Sequence, residues 1–120
     1  MRILLVEDEA QIRELVQTFL AAEGHQVAVG GNGQQGWDRF SEDPAGFDLV
    51  IADMKMPVLD GMGLLGRLRM EGHRVPFILM TGHAELNAES GDVPPGVYVM
   101  HKPFELDDML LLVAQVGTKR

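Results

Sequence analysis

Five short apolar runs, each followed by a stretch with helical spacing, constrain this chain more than any other feature. The runs are RILLV (2–6), HQVAVG (25–30), FDLVIA (47–52), VPFILM (75–80) and VYVM (97–100). The first is continuously apolar and closed by acid, as a strand buried on both faces of a parallel sheet would be. From Ala10 to Glu23, the residues Ile12, Leu15, Val16, Phe19 and Leu20 recur at helical spacing, and Gly24 is a stop signal. The same reasoning predicts helices over Gln34–Glu42, Gly61–Met70 and Glu105–Val116. Strand–helix alternation of this kind implies an α/β fold. A single doubly wound, five-stranded parallel sheet would carry helices on both faces through right-handed crossovers. One unit is weak. TGHAELNAESGDVPPG (81–96) has poor apolar spacing and contains Pro94 and Pro95, so the fourth helix is expected to be short or distorted.

A length of 120 residues fits one domain, 1–120. The net charge of −8 argues against direct nucleic-acid binding, where basic residues must neutralise phosphates, and against anionic membrane surfaces. There is no Cys, so disulfides and thiolate metal sites are excluded. No apolar run approaches the ~20 residues of a membrane span. MRILLVEDEA is too short and too acidic for a secretory signal, and a cytoplasmic location is expected.

GNGQQG (31–36) matches the dinucleotide fingerprint G-x-G-x-x-G letter for letter, and Asp53 ends the next apolar run. Physical context argues against that reading. The fingerprint belongs after the first strand, which here ends in acid, and the chain has no room for a second nucleotide half. We read GNGQQG as a strand-to-helix turn whose glycines supply positive φ.

Ligands of open α/β sheets bind beyond the carboxyl ends of the strands. There the sequence places Glu7 and Asp8 after the first strand, Asp53 after the third, Thr81 after the fourth and Lys102 after the fifth. Each has a bland reading: acids at a helix start, a capping hydroxyl, a surface lysine. Together they say more. Three converging carboxylates repel one another, and a hard dication such as Mg²⁺ is the usual remedy. A metal, a lysine and a hydroxyl around one carboxylate suit phosphoryl transfer, with Asp as the nucleophile. His25, His73 and His101 show no ligand spacing and are read as surface residues.

The segments ILLVEDE, DLVIADMKMPVLDG, PFILMTG and HKPF, in this order, resemble the response-regulator receiver domains of two-component signalling, including the chemotaxis type. The resemblance implies a flavodoxin-like strand order 2-1-3-4-5. Asp53 would accept a phosphoryl group from a sensor histidine kinase or a phosphotransfer protein. Asp8 and Asp53 would hold Mg²⁺ directly, with Glu7 acting through water and the Lys55 carbonyl completing the set. Lys102 would hold the phosphoryl group, and Thr81 would move to meet it. Pro57 and Asp60–Gly61 would shape the following loop, and the Lys102–Pro103 bond would be cis. Such a domain promotes its own phosphorylation and dephosphorylation but turns over no separate substrate.

Two departures bear on output. The aromatic residue that receivers carry three positions before the lysine is Val99 here, with Tyr98 one step off. Strand alternation turns Tyr98 to the other face unless a bulge intervenes. This departure keeps a second class in play, a receiver-like interaction module that works without phosphate. An aspartate-dependent phosphatase would carry an acid where Lys55 stands. By resemblance, Lys55 and His83 would screen the phosphoryl group from water. In the last helix, Leu106, Met109, Leu110 and Val113 form the expected core stripe. Leu111 and Leu112 lie off it and point to a homodimer or docking face on this helix.

Overall fold

The computed structural model describes residues 1–82 and 94–118. The elements are β1 (Arg2–Val6), α1 (Ala10–Ala22), β2 (Gln26–Gly30), α2 (Gly33–Glu42), a 3-10 turn (Pro44–Gly46), β3 (Leu49–Asp53), α3 (Gly61–Met70), β4 (Phe77–Thr81), β5 (Val97–His101) and α4 (Leu106–Thr118). The five strands form one parallel sheet in the order β2-β1-β3-β4-β5, as expected. The helix expected between β4 and β5 falls on residues 83–93, outside the described residues.

Strand alternation divides the core in two. Leu4, Val6, Val50, Ala52, Phe77 and Leu79 meet Phe40 of α2 and Leu64, Leu65 and Leu68 of α3. Ile3, Leu5, Leu49, Ile51, Ile78 and Met80 meet Val16 and Leu20 of α1 and Met109, Val113 and Val116 of α4. Each fully buried side chain of this size contributes about 1.5–3 kcal/mol relative to exposure. The apolar layers therefore fix the strands, and the strands fix what stands at their ends.

Local chemistry sets the boundaries. Asn32 caps α2 by accepting from the Gln35 amide at 2.8 Å, so the helix starts at Gly33 rather than Gln34. Asp60 caps α3 in the same way, from Gly63 at 2.7 Å. β3 begins two residues later than expected, and Phe47, just before it, stacks on Phe40 with ring centres 5.7 Å apart. It then runs on through Asp53.

Four expectations need correction. Leu15 is 56% exposed rather than part of the buried face of α1; Val16 and Leu20 fill that role. Leu112 is half-buried against the α1–α4 core, which leaves Leu111, 64% exposed, as the outward leucine of α4. His73 is no plain surface residue: its ring meets Phe40 edge-on at 4.9 Å and lies 6.2 Å from Trp37. Finally, the GNGQQG glycines do not serve positive φ, which among the described glycines occurs at Gly24, Gly72 and Gly96. They serve close approach. A Cβ on Gly36 would lie 2.7 Å from Val6 Cγ2, and one on Gly33 would collide with the Leu59 carbonyl oxygen, to which the Gly33 amide donates at 2.9 Å. The room that glycine leaves here is filled by protein atoms. β5 carries no bulge: Tyr98 pairs with Ile78 and Val99 with Leu79, so Tyr98 faces α1 and α4 while Val99 faces α2 and α3.

Two glycine substitutions separate packing from propensity. Gly33→Ala should destabilise the protein by about 1–3 kcal/mol through overpacking. Gly66→Ala, at an exposed mid-helix site where the new methyl meets open space, should stabilise it by about 0.5–1 kcal/mol. Urea unfolding midpoints of the two variants would check both signs.

Candidate functional site

The ladder assembles the site. Val6 pairs with Ala52, so the next residues along, Glu7 and Asp53, stand side by side. Asp53 pairs with Met80, Thr81 with His101, and the Lys102 amide donates to the Thr81 carbonyl at 2.8 Å. Alternation then sends Glu7, Asp53 and Lys102 to the α1–α4 side of the sheet edge. It sends Met54 and Thr81 to the α2–α3 side.

Glu7 and Thr81 are fully buried, and Asp53 is nearly so. Lys102 Nζ donates to Asp53 Oδ2 at 2.7 Å and lies 3.9 Å from Glu7 Oε1. The Lys55 amide donates to the other Asp53 oxygen at 3.3 Å, and the Glu9 amide to Glu7 Oε2 at 3.1 Å. One carboxylate oxygen from each of Glu7, Asp8 and Asp53 lies within 4.8 Å of the other two. Glu7 Oε1 is buried and has no hydrogen-bond partner among the described residues. A cavity of about 420 Å³ opens over this cluster, lined by Asp8, Glu9, Asp53, Met54, Lys55, Gly82 and Lys102. The Lys102–Pro103 bond is cis. The structure thus brings together Glu7, Asp8, Asp53 and Lys102, and it sets the exposed Lys55 at the cavity wall. Thr81 stands beside the site but turns its hydroxyl elsewhere, donating to Met54 Sδ at 3.1 Å. His83 lies outside the described residues.

A family model described as the response regulator receiver domain matches residues 3–114. The chain belongs to that family.

Sporulation initiation phosphotransferase F of Bacillus subtilis (strain 168) is 32% identical over 109 residues, covering 90% of this chain and 86% of that protein. YkoG of the same organism, a transcriptional regulatory protein by name, is 36% identical over 98% of this chain and 53% of its own length. Regulatory protein AtoC of Escherichia coli (strain K12) is 34% identical over 93% of this chain and 24% of its own length. The chain thus spans a quarter to a half of the two regulators. Among solved structures, a receiver domain from Clostridium thermocellum superposes with a TM-score of 0.87 at 27% identity, covering 98% of this chain and 94% of that one. The receiver domain of the hybrid histidine kinase CckA superposes at 0.83 with 28% identity, covering 97% and 98%. The fold and the two-component signalling class therefore stand. Among the described residues, no helix is long and apolar enough to cross a membrane.

The electrostatics of the receiver site follow from crowding. Burial pushes the Glu7 carboxyl up to about 7; the Glu9 amide opposes this, Asp8 and Asp53 add to it, and Lys102 opposes it. Burial pulls the Lys102 ammonium down, but the hydrogen bond and charge of Asp53, then Glu7 and Glu9, more than offset that and hold it above the ordinary lysine range. Glu7, Asp8 and Asp53 offer oxygen donors only, one of them orphaned, which fits a hard dication.

The loop after Asp53 is tightly tied. The Gly61 amide donates to the Met54 carbonyl at 3.0 Å, and a Cβ on Gly61 would collide with the Asp53 carbonyl oxygen. The Leu59 amide donates to the Pro57 carbonyl at 2.8 Å around Val58, whose φ is +71°. That is a γ-turn of the rarer, strained hand, centred on a β-branched residue.

Two site residues escaped the sequence reading. Arg13 of α1 donates to the Glu7 carbonyl at 2.8 Å, and Met54 accepts from Thr81. Met54 could have been found: in parallel register, the residue after Asp53 must neighbour the residue after Met80.

The Glu7 shift predicts a pH signature for the protein without added metal. Between pH 4.5 and about 7 the folded state holds the Glu7 proton more tightly than the unfolded chain does, so stability falls as pH rises through that window. Relative to Glu7→Gln, which cannot titrate, the protein should lose about 3 kcal/mol across it. Chemical denaturation of both proteins at a series of pH values would measure the difference, and parallel profiles would refute it.

Proposed function

We propose that this chain, taken as a receiver domain over 1–120, is a phosphoacceptor switch in the cytoplasm. In this reading Asp53 takes a phosphoryl group from a sensor histidine kinase or phosphotransfer protein and alters a partner or fused output. The observation that carries it is the nearly buried Asp53 carboxylate, 2.7 Å from Lys102, facing a cavity of about 420 Å³ and clustered with Glu7 and Asp8.

The chemistry follows from these groups. An Asp53 oxygen attacks phosphorus, the bond from phosphorus to the donor imidazole breaks, and an acyl phosphate forms. Lys102, already on Asp53, follows the charge onto the phosphoryl oxygens. The Lys55 amide steadies the carboxylate, and Thr81 turns its hydroxyl toward the phosphoryl group. Glu7, Asp8 and Asp53, with the Lys55 carbonyl, would hold Mg²⁺, which supplies charge neutralisation when bound. In this reading the chain turns over no separate substrate.

The alternative is a receiver-like interaction module that works without phosphate. It draws on Val99, which stands where the family carries an aromatic and faces α2 and α3.

Mass spectrometry after incubation with acetyl phosphate separates these readings. The chain should gain one phosphoryl group in Mg²⁺ and little in a chelator, and Asp53→Asn should gain none. No gain by the wild-type chain in Mg²⁺ would favour the module. The proposed homodimer face on α4 narrows to Leu111, beside a cavity of about 440 Å³ lined also by His25, Leu110 and Ala114. Leu111→Gln should reduce self-association in analytical ultracentrifugation while leaving phosphorylation intact; unchanged assembly discards that face.

A further inference from the structure

We propose that Met54 is a positioning residue that clasps Thr81 in the unphosphorylated state and so sets the threshold of the switch. The inference rests on the reading of Thr81 as the hydroxyl that turns to the phosphoryl group on Asp53.

Thr81 is 1% exposed, and its Oγ1 donates to Met54 Sδ at 3.1 Å. Register produces this contact. Met54 and Thr81 each follow a paired residue, Asp53 and Met80, and the Met54 amide donates to the Met80 carbonyl at 2.7 Å. Both side chains lie on the α2–α3 side, where Met54 packs against the Val6–Leu79 core. Asp53 points the other way, and both of its oxygens are engaged, one by Lys102 and one by the Lys55 amide. To serve a phosphoryl group on Asp53, the hydroxyl must therefore leave the sulfur and cross the strand end.

The acceptor it leaves is a weak one. A thioether is a poor hydrogen-bond acceptor, whereas a phosphoryl oxygen is charged and strong. A β-branched side chain changes χ1 in discrete steps, so the exchange is two-state rather than gradual. Met54 also forms part of the site cavity wall, and its unbranched stem can adjust once the hydroxyl departs. The sulfur is a partner of this buried hydroxyl that is strong enough to favour the resting state and weak enough to release it. A ligand that favours the other state then works against a gap that Met54 helps to set.

Two substitutions of similar size move that gap in opposite directions. Met54→Leu removes this thioether acceptor and should bind beryllofluoride, an acyl phosphate mimic, about fivefold more tightly in Mg²⁺, on the scale of one modest hydrogen bond. Met54→Gln offers a carbonyl, a stronger acceptor, and should bind it about fivefold more weakly. Calorimetric titration of the full chain gives the affinities, and a Thr81→Val background supplies the control: there both Met54 effects should vanish. Wild-type binding with both variants within twofold of it overturns the clasp. So do Met54 effects that persist without the Thr81 hydroxyl, which would belong to packing. No binding by the wild-type chain overturns the phosphoacceptor reading itself and the clasp with it. Thermal transitions show that each variant is folded, and either variant alone gives a sign that decides the matter.

Discussion

The side-by-side placement of Glu7 and Asp53 is the constraint on which the rest depends. Neither carboxylate would choose the other's company. The ladder pairing Val6 with Ala52 leaves them no alternative, and that ladder is held by strands whose side chains are buried on both faces. The local responses follow from the crowding. Lys102 reaches both acids and is held charged by them, Glu7 is pushed toward its neutral form, and one Glu7 oxygen has no hydrogen-bond partner among the described residues. Apolar burial far from the site thus maintains an electrostatic arrangement that the site residues alone would relax.

The sequence was most informative where a single physical rule decides the outcome. Continuous apolar runs ending in acid located β1 and β3, and period-2 alternation separated Tyr98 from Val99 correctly. Asp53, Glu7, Asp8 and Lys102 were legible because strand ends in a parallel sheet must converge on one edge. It was less informative where tertiary packing chooses between equivalent local options. Leu15 satisfies the helical period of α1 yet faces solvent, and Leu112 breaks the period of α4 yet is half-buried. Periodicity states which residues share a face; it does not state how wide the neighbouring element is. His73, between α3 and β4, shows the same limit, since its ring is claimed by Phe40 of α2.

GNGQQG teaches a related point about motifs. Its spacing is real, and so is the reason glycine recurs: backbone must come close to something. In a dinucleotide site that something is pyrophosphate. Here it is Gly36 against Val6 and Gly33 against the Leu59 carbonyl, so the motif joins α2 to β1 and to the loop after Asp53. The letters record a need for close approach without naming the partner. The acid at the end of β1 supplied the missing information.

The two donors on Asp53 differ in kind, and the difference matters for a switch. The Lys55 donor is a backbone amide, fixed by the turn that follows β3, so it can orient a carboxylate but cannot follow one. The Lys102 donor is an ammonium on a flexible four-carbon stem. In the proposed reaction, negative charge moves outward from the carboxylate to the phosphoryl oxygens. The fixed donor would then keep Asp53 aimed through the step, while the mobile one travels with the charge. Arginine would serve less well at position 102. Its planar fork suits a bidentate grip on one carboxylate, whereas this site needs a point charge that bridges Asp53 at 2.7 Å and Glu7 at 3.9 Å and can then leave both.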